Sequence, residues 1–142
     1  LGDVYKRQAM FSSDSQVITF PAGLVSRRKK GIIRDPVWQK NFISKSIQYE
    51  RDIVPIHISG RNSNFFYSLS NIRKFLGIKA NLEMFFLPNE TYKHRNKHYE
   101  INIGKPISYK TFDKRLTPGE WAVKVQDHVY SLPEDCNKIF SF

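Results

Sequence analysis

This chain is short of sulfur and short of acid. It has one cysteine, Cys136, among 142 residues, so no internal disulfide can form and a thiolate metal cluster is not expected. Its 13 Asp and Glu face 23 Lys and Arg, a formal net charge of +10, which calls for an anionic partner: phospholipid headgroups, a phosphorylated substrate or nucleic acid. No apolar run approaches the roughly 20 residues of a membrane-spanning helix. Residues 1–8 lack the apolar segment of a secretory signal peptide. Internal repeats and low-complexity tracts are missing, as are helix-turn-helix, zinc and RNP patterns, which argues against a nucleic-acid module. What is present, 40% hydrophobic and 14% aromatic residues, suits one globular domain with a core of its own.

The most informative stretch is Val17-Ile18-Thr19-Phe20-Pro21-Ala22-Gly23-Leu24-Val25-Ser26-Arg27-Arg28. Val17, Ile18 and Phe20 predict a half-buried strand. Pro21 cannot donate to a ladder and Gly23 can take a positive φ, so the chain is expected to turn there. Ser26, Arg27, Arg28, Lys29 and Lys30 follow. Guanidinium forks match the oxygens of a phosphate ester and a serine hydroxyl adds a further bond. The plainer reading of these cations is a solvated turn after a core strand.

Further along, Asp35-Pro36 predicts a helix start, with Trp38, Phe42, Ile43 and Ile47 at helical spacing. Ile53 to Ile58 predicts a second strand with Pro55 at its start or edge. The turn after it carries Arg61 and Asn62, where an open α/β sheet binds ligands. Asn64 is expected to cap a helix with Phe65, Phe66, Leu69, Ile72 and Leu76 inward and Arg73 and Lys74 outward, ended by Gly77. Leu82 to Leu87 and Tyr99 to Ile103 predict strands, with a basic loop from Pro88 to His98 between them. Thr117-Pro118-Gly119-Glu120 is a capping box that opens a last helix with Trp121, Val125 and Val129 inward. Residues 134–142 are expected to form a tail.

Phe20-Pro21-Ala22-Gly23 with Ser26-Arg27 resembles the F-P-E-G-T-R-S motif of the glycerolipid acyltransferases, which acylate glycerol phosphate and lysophosphatidic acid. Ala22 and Leu24 depart from it. The F-P-A-G-L-x-S-R form resembles a bacterial, hemolysin-like branch that includes acylators of amino-acid lipids. Ile53 to Ile58 resembles the family's V-P-V-x-I strand, and Gly104-Lys105-Pro106-Ile107 its G-K-P-I turn. The resemblance implies an α/β fold, a central mixed, mostly parallel sheet flanked by helices. It implies acyl transfer from acyl-CoA or acyl carrier protein, as co-substrate and with no cofactor, to the hydroxyl of a lysophospholipid, glycerol phosphate or amino-acid lipid. It implies a bacterial protein of lipid metabolism, in the cytoplasm and peripheral on the inner face of the cytoplasmic membrane. Its partners would be the acyl donor, the lipid acceptor and the anionic membrane surface, and not nucleic acid.

The family's general base is a histidine in H-x-x-x-x-D, oriented by the aspartate. None of His57, His94, His98 and His128 has Asp five positions on. Residues 9–133 are therefore expected to be the C-terminal part of an acyltransferase domain, inactive alone, with the base encoded upstream. Residues 1–8 resemble a translated sequencing adaptor and are set aside from the fold. Gly23, Ser26, Arg27, Arg28 and Arg61 are the expected substrate-binding residues, with no catalytic residue or metal ligand in the chain. The competing expectation is a non-catalytic basic module that binds anionic lipid or nucleic acid.

Overall fold

The computed structural model describes residues 9–141, so the adaptor-like segment 1–8 lies outside it. The described chain divides into two units. One holds the residues up to Gly23, Val37–His57 and everything from Asn102 onward; the other holds Leu24–Pro36 and Ile58–Ile101.

The first unit is built on two helices, α1 (Asn41–Gln48) and α4 (Pro118–Ser131). Its core comprises Ile43, Ile107, Phe112, Trp121, Ala122, Val125 and Val129, with Trp38, Phe42 and Phe140 packed against it. Trp121 is fully buried, and its indole N–H donates to the Asp113 carbonyl at 3.0 Å, so a large apolar ring brings no orphaned donor inside. The capping box that opens α4 is formed as the sequence predicts. The Glu120 amide donates to Thr117 Oγ1 at 3.3 Å and the Glu120 carboxylate accepts from the Thr117 amide at 2.7 Å. Thr117→Ala is expected to lower stability by about 1 kcal/mol, read as a fall in the thermal midpoint with the far-ultraviolet spectrum of the folded state unchanged.

Several predicted elements take other forms. Val17 to Phe20 is not a strand: Ile18 and Phe20 are each 79% exposed, and no neighbouring strand among the described residues offers this segment a ladder. Strand propensity needs such a partner to act. Instead Arg51 gathers the preceding turn, donating to the carbonyls of Phe11 (3.2 Å), Ser13 (2.8 Å) and Ser15 (2.6 Å). The turn at Pro21 is present, with Gly23 at φ +63° and its amide on the Phe20 carbonyl at 3.1 Å. The expected helix start at Asp35-Pro36 is displaced to Asn41. Asp35 accepts the Ser26 hydroxyl at 2.6 Å, so its carboxylate is occupied elsewhere.

In the second unit the cationic segment expected as a turn after Gly23 is a hairpin, β1 (Arg27–Lys29) antiparallel to β2 (Ile32–Arg34). Lys30 (φ +48°) and Gly31 (φ +83°) form its two-residue turn; two successive positive φ values match the right-handed twist of the strands. Helix α2 (Asn64–Phe75) follows, capped not by Asn64, whose Oδ1 takes arginine donors, but by Ser63, whose Oγ accepts the Phe66 amide at 3.3 Å. Leu82–Phe86, predicted as a strand, is a 3-10 turn that runs into α3 (Leu87–Lys93). Pro88 in the first turn of α3 favours that continuation.

β3 (Ile56–Ile58) and β4 (Ile101–Ile103) form a second two-stranded sheet. Beyond it, Ile53 and Ile107 exchange antiparallel hydrogen bonds of 2.9 and 2.8 Å. The described residues thus carry two small sheets rather than one wide one. Among them no helix is long and apolar enough to cross a membrane.

Candidate substrate-binding site

Strand alternation sends neighbouring side chains to opposite faces, and this separates the two arginines of β1. Arg27 turns inward, 7% exposed, with Nη2 3.0 Å from Glu83 Oε1. Glu83 is fully buried. It is also clasped by Arg73, whose Nε lies 2.8 Å from Oε2 and whose Nη2 donates to Oε1 at 3.2 Å. Arg73 in turn donates to the Ile78 carbonyl (2.7 Å) and Asn81 Oδ1 (2.9 Å). Burial opposes ionisation of Glu83. Its own backbone amide and the two guanidinium groups outweigh that, and its pKa lies below the ordinary 4.5.

Arg28 turns to the half-buried side. Its Nη2 donates to Ser68 Oγ at 3.0 Å and its Nη1 reaches Asn64 Oδ1 at 3.4 Å. The guanidinium carbon sits 5.9 Å from the centre of the Tyr67 ring. Arg61 donates to the same Asn64 Oδ1 at 2.8 Å. One amide oxygen at the start of α2 therefore gathers two expected substrate-binding residues 33 positions apart in the chain. Two cations beside each other repel, and the shared acceptor partly offsets that repulsion.

Arg61 also lines a cavity of about 150 Å³ formed by residues 61–63 and by Glu90, Lys93, His94 and Lys97. Its floor is ordered by Glu90, which accepts from the Ser63 amide, from Ser63 Oγ at 2.8 Å and from Lys93 Nζ at 3.2 Å. Burial again opposes ionisation of this carboxyl; the Ser63 bonds and Lys93 prevail and hold its pKa below 4.5. The wall is cationic. The whole unit carries twelve Lys and Arg against four Asp and Glu, so +8 of the chain's +10 resides in it.

Of the five expected residues, Arg28 and Arg61 meet. Ser26 is bonded to Asp35, Gly23 belongs to the other unit, and Arg27 is committed to Glu83 inside its own. Asn64 was legible only as a helix start, while Glu83 and Glu90 were not singled out at all. A lone acid within the apolar run Leu82 to Leu87 of so basic a chain was the available signal for Glu83.

Three of the four histidines meet aromatic rings, and His98 is exposed. His57 meets Tyr130 edge-on at 5.7 Å, His94 lies 6.2 Å from Tyr99 and His128 meets Phe140 at 5.3 Å. Burial, helped by the charge of Lys138, pushes the His128 imidazole below its ordinary 6.5. Among the described residues no group of three or more His, Cys, Asp and Glu could hold a metal ion.

The F-P-A-G turn followed by a serine and paired arginines resembles an acyltransferase motif, and the comparison of the chain with known proteins agrees with that resemblance. The chain belongs to the family described as Acyltransferase, whose pattern matches residues 3–133. It is 55% identical over 125 residues to the lyso-glycine lipid O-acyltransferase of Bacteroides thetaiotaomicron, and 54% identical over 125 residues to the protein of the same name from Phocaeicola vulgatus. Each alignment covers 88% of this chain, but only 46% and 45% of the relatives. The chain thus spans less than half the length of the curated relatives it matches. No solved structure shows significant similarity to it.

Proposed function

We propose that this chain is the acceptor-binding part of a lipid O-acyltransferase that acylates a lyso-glycine lipid or a close amino-acid analogue. The observation that carries the reading is the convergence of Arg28 and Arg61 on Asn64 beside a cation-lined cavity. A glycine headgroup bears a carboxylate, whose two oxygens suit a pair of guanidinium forks. The names of the two relatives support that acceptor over a phosphate. In the reaction the lipid hydroxyl oxygen attacks the thioester carbonyl of acyl-CoA or acyl carrier protein. An ester C–O bond forms, the C–S bond breaks, and the hydroxyl proton passes through a general base to the leaving thiolate.

That base is assigned to a part of the protein outside this chain. No histidine here has the H-x-x-x-x-D spacing, and His57, His94 and His128 are engaged in ring contacts. The chain alone accordingly binds acceptor without turnover. In the parent enzyme β3 and β4 belong to the wider, mostly parallel sheet of an α/β domain, peripheral on the inner face of the cytoplasmic membrane.

The test is an assay of the full-length gene product with an acyl thioester and either lyso-glycine lipid or lysophosphatidic acid. Ester formation on the glycine lipid is expected, with no product from residues 9–142 above a heat-killed control. Acylation of the phosphate acceptor alone, or turnover by the short chain, would sink the reading.

A further inference from the structure

Helix α2 packs with a side offset from most of its apolar stripe. Phe66, Tyr67, Ser70 and Arg73 are buried, Arg73 around the Glu83 carboxylate. The stripe Phe65, Leu69, Ile72 and Leu76, spaced four, three and four residues apart, is left on another face. Leu69 is half-buried, while Phe65, Ile72 and Leu76 are 54%, 56% and 63% exposed. Phe86 extends the stripe by meeting the Phe65 ring edge-on at 5.2 Å, and it too is exposed. The buried ion cluster anchors the helix without these residues, so the stripe is not needed for the unit's own core.

The surroundings of the stripe select its partner. Arg28 is bonded to Asn64 and Ser68, which stand one turn apart on the flank of the stripe, and Arg61 joins it at Asn64. Lys79 follows three residues after Leu76. The unit bears a net +8. An apolar helix face bordered by cations is the form that lies in the boundary between headgroups and acyl chains of an anionic bilayer.

We propose that the Phe65–Leu69–Ile72–Leu76 stripe of α2 seats in the interface of an anionic lipid bilayer, with Arg28 and Arg61 at headgroup level. This deepens the acyltransferase reading, on which the choice of a bilayer as the occupant partly rests. It brings the acceptor's headgroup to the cation-lined cavity while its acyl chain stays among lipid.

The test uses the full-length gene product carrying Ile72→Trp, with the unsubstituted protein as the baseline for Trp38 and Trp121. Vesicles are phosphatidylcholine, with or without about a third phosphatidylglycerol, and contain brominated acyl chains. Quenching of the introduced indole by the anionic vesicles is expected. A doubly substituted Ile72→Ser, Leu76→Ser protein should bind those vesicles at least about tenfold more weakly. Vesicle binding without quenching would show that another surface inserts, and no binding at all would overturn the proposal outright. So would an introduced indole already shielded from acrylamide before lipid is added, because the stripe would then be covered by the rest of the polypeptide or by a second copy. Quenching by a protein that acylates no lipid would overturn the enzymatic reading and leave the docking surface standing.

Discussion

Glu83→Ala is expected to cost about 3–5 kcal/mol of folding stability, the largest effect of any single substitution in the second unit. The carboxylate is fully buried between Arg27 and Arg73. Removing it leaves two guanidinium groups in a place where water cannot replace their partner. Arg73 would keep the Ile78 carbonyl and Asn81, whereas Arg27 would retain the weak attraction of the Phe66 ring, 5.9 Å away. The destabilisation should therefore be relieved in large part by adding Arg27→Met. Urea denaturation of the single and double variants reads both effects. The same site sets an acid limit. Glu83 has a folded pKa below its ordinary 4.5, so its contribution is complete above about 4.5 and is lost as pH falls through the folded value. Glu90 is depressed in the same direction and adds to that limb. In Glu83→Ala the loss of stability between neutral pH and pH 3–4 (roughly one unit below the ordinary carboxylate value) should be shallower than in the parent.

Arg28→Ala and Arg61→Ala are each expected to reduce kcat/KM for the lipid acceptor by about 10- to 100-fold, as loss of one charge-assisted hydrogen bond of roughly 1.5–3 kcal/mol implies. If the proposed function holds, the loss should fall on the acceptor's KM and spare that of the acyl donor, because the proposed function puts both guanidinium groups at a headgroup remote from the reacting hydroxyl. Replacement by lysine restores the charge but not the fork, so partial recovery is expected. Arg27→Ala provides the contrast. Its guanidinium is spent on Glu83, and its loss should lower the unfolding midpoint while leaving the acceptor's KM in the surviving folded protein close to that of the parent. Steady-state kinetics with acceptor and donor varied in turn distinguishes the two outcomes.

The elements legible in the sequence were those whose determinants lie within a few residues of one another. Thr117, Pro118 and Glu120 form a local cap, Trp121, Val125 and Val129 follow the helical period, and Pro21 with Gly23 makes a turn wherever it occurs. The misread elements depend on partners distant in sequence. Val17 to Phe20 has strand composition without a strand beside it, and Asp35 would have capped a helix had Ser26 not taken its carboxylate. Periodicity put Arg73 outside α2 and Ile72 inside. The buried Glu83, ten residues on, reverses that assignment because an arginine cluster can be internal when an acid neutralises it. For the site, the nature of the cations was readable and their destinations were not. Only the pleat of β1 separates structural Arg27 from outward Arg28, and only Asn64 unites Arg28 with Arg61.

The Arg51 contacts have a consequence for how the first unit comes apart. The carbonyls of Phe11, Ser13 and Ser15 are collected by one side chain rather than by a run of neighbouring backbone amides. When the guanidinium withdraws, all three of these attachments go together. The segment's opening is therefore a small cooperative event of its own, requiring the Arg51 side chain to swing away and the Phe11–Tyr49 ring stack at 5.6 Å to part, and it can precede any disturbance of the Trp121 core.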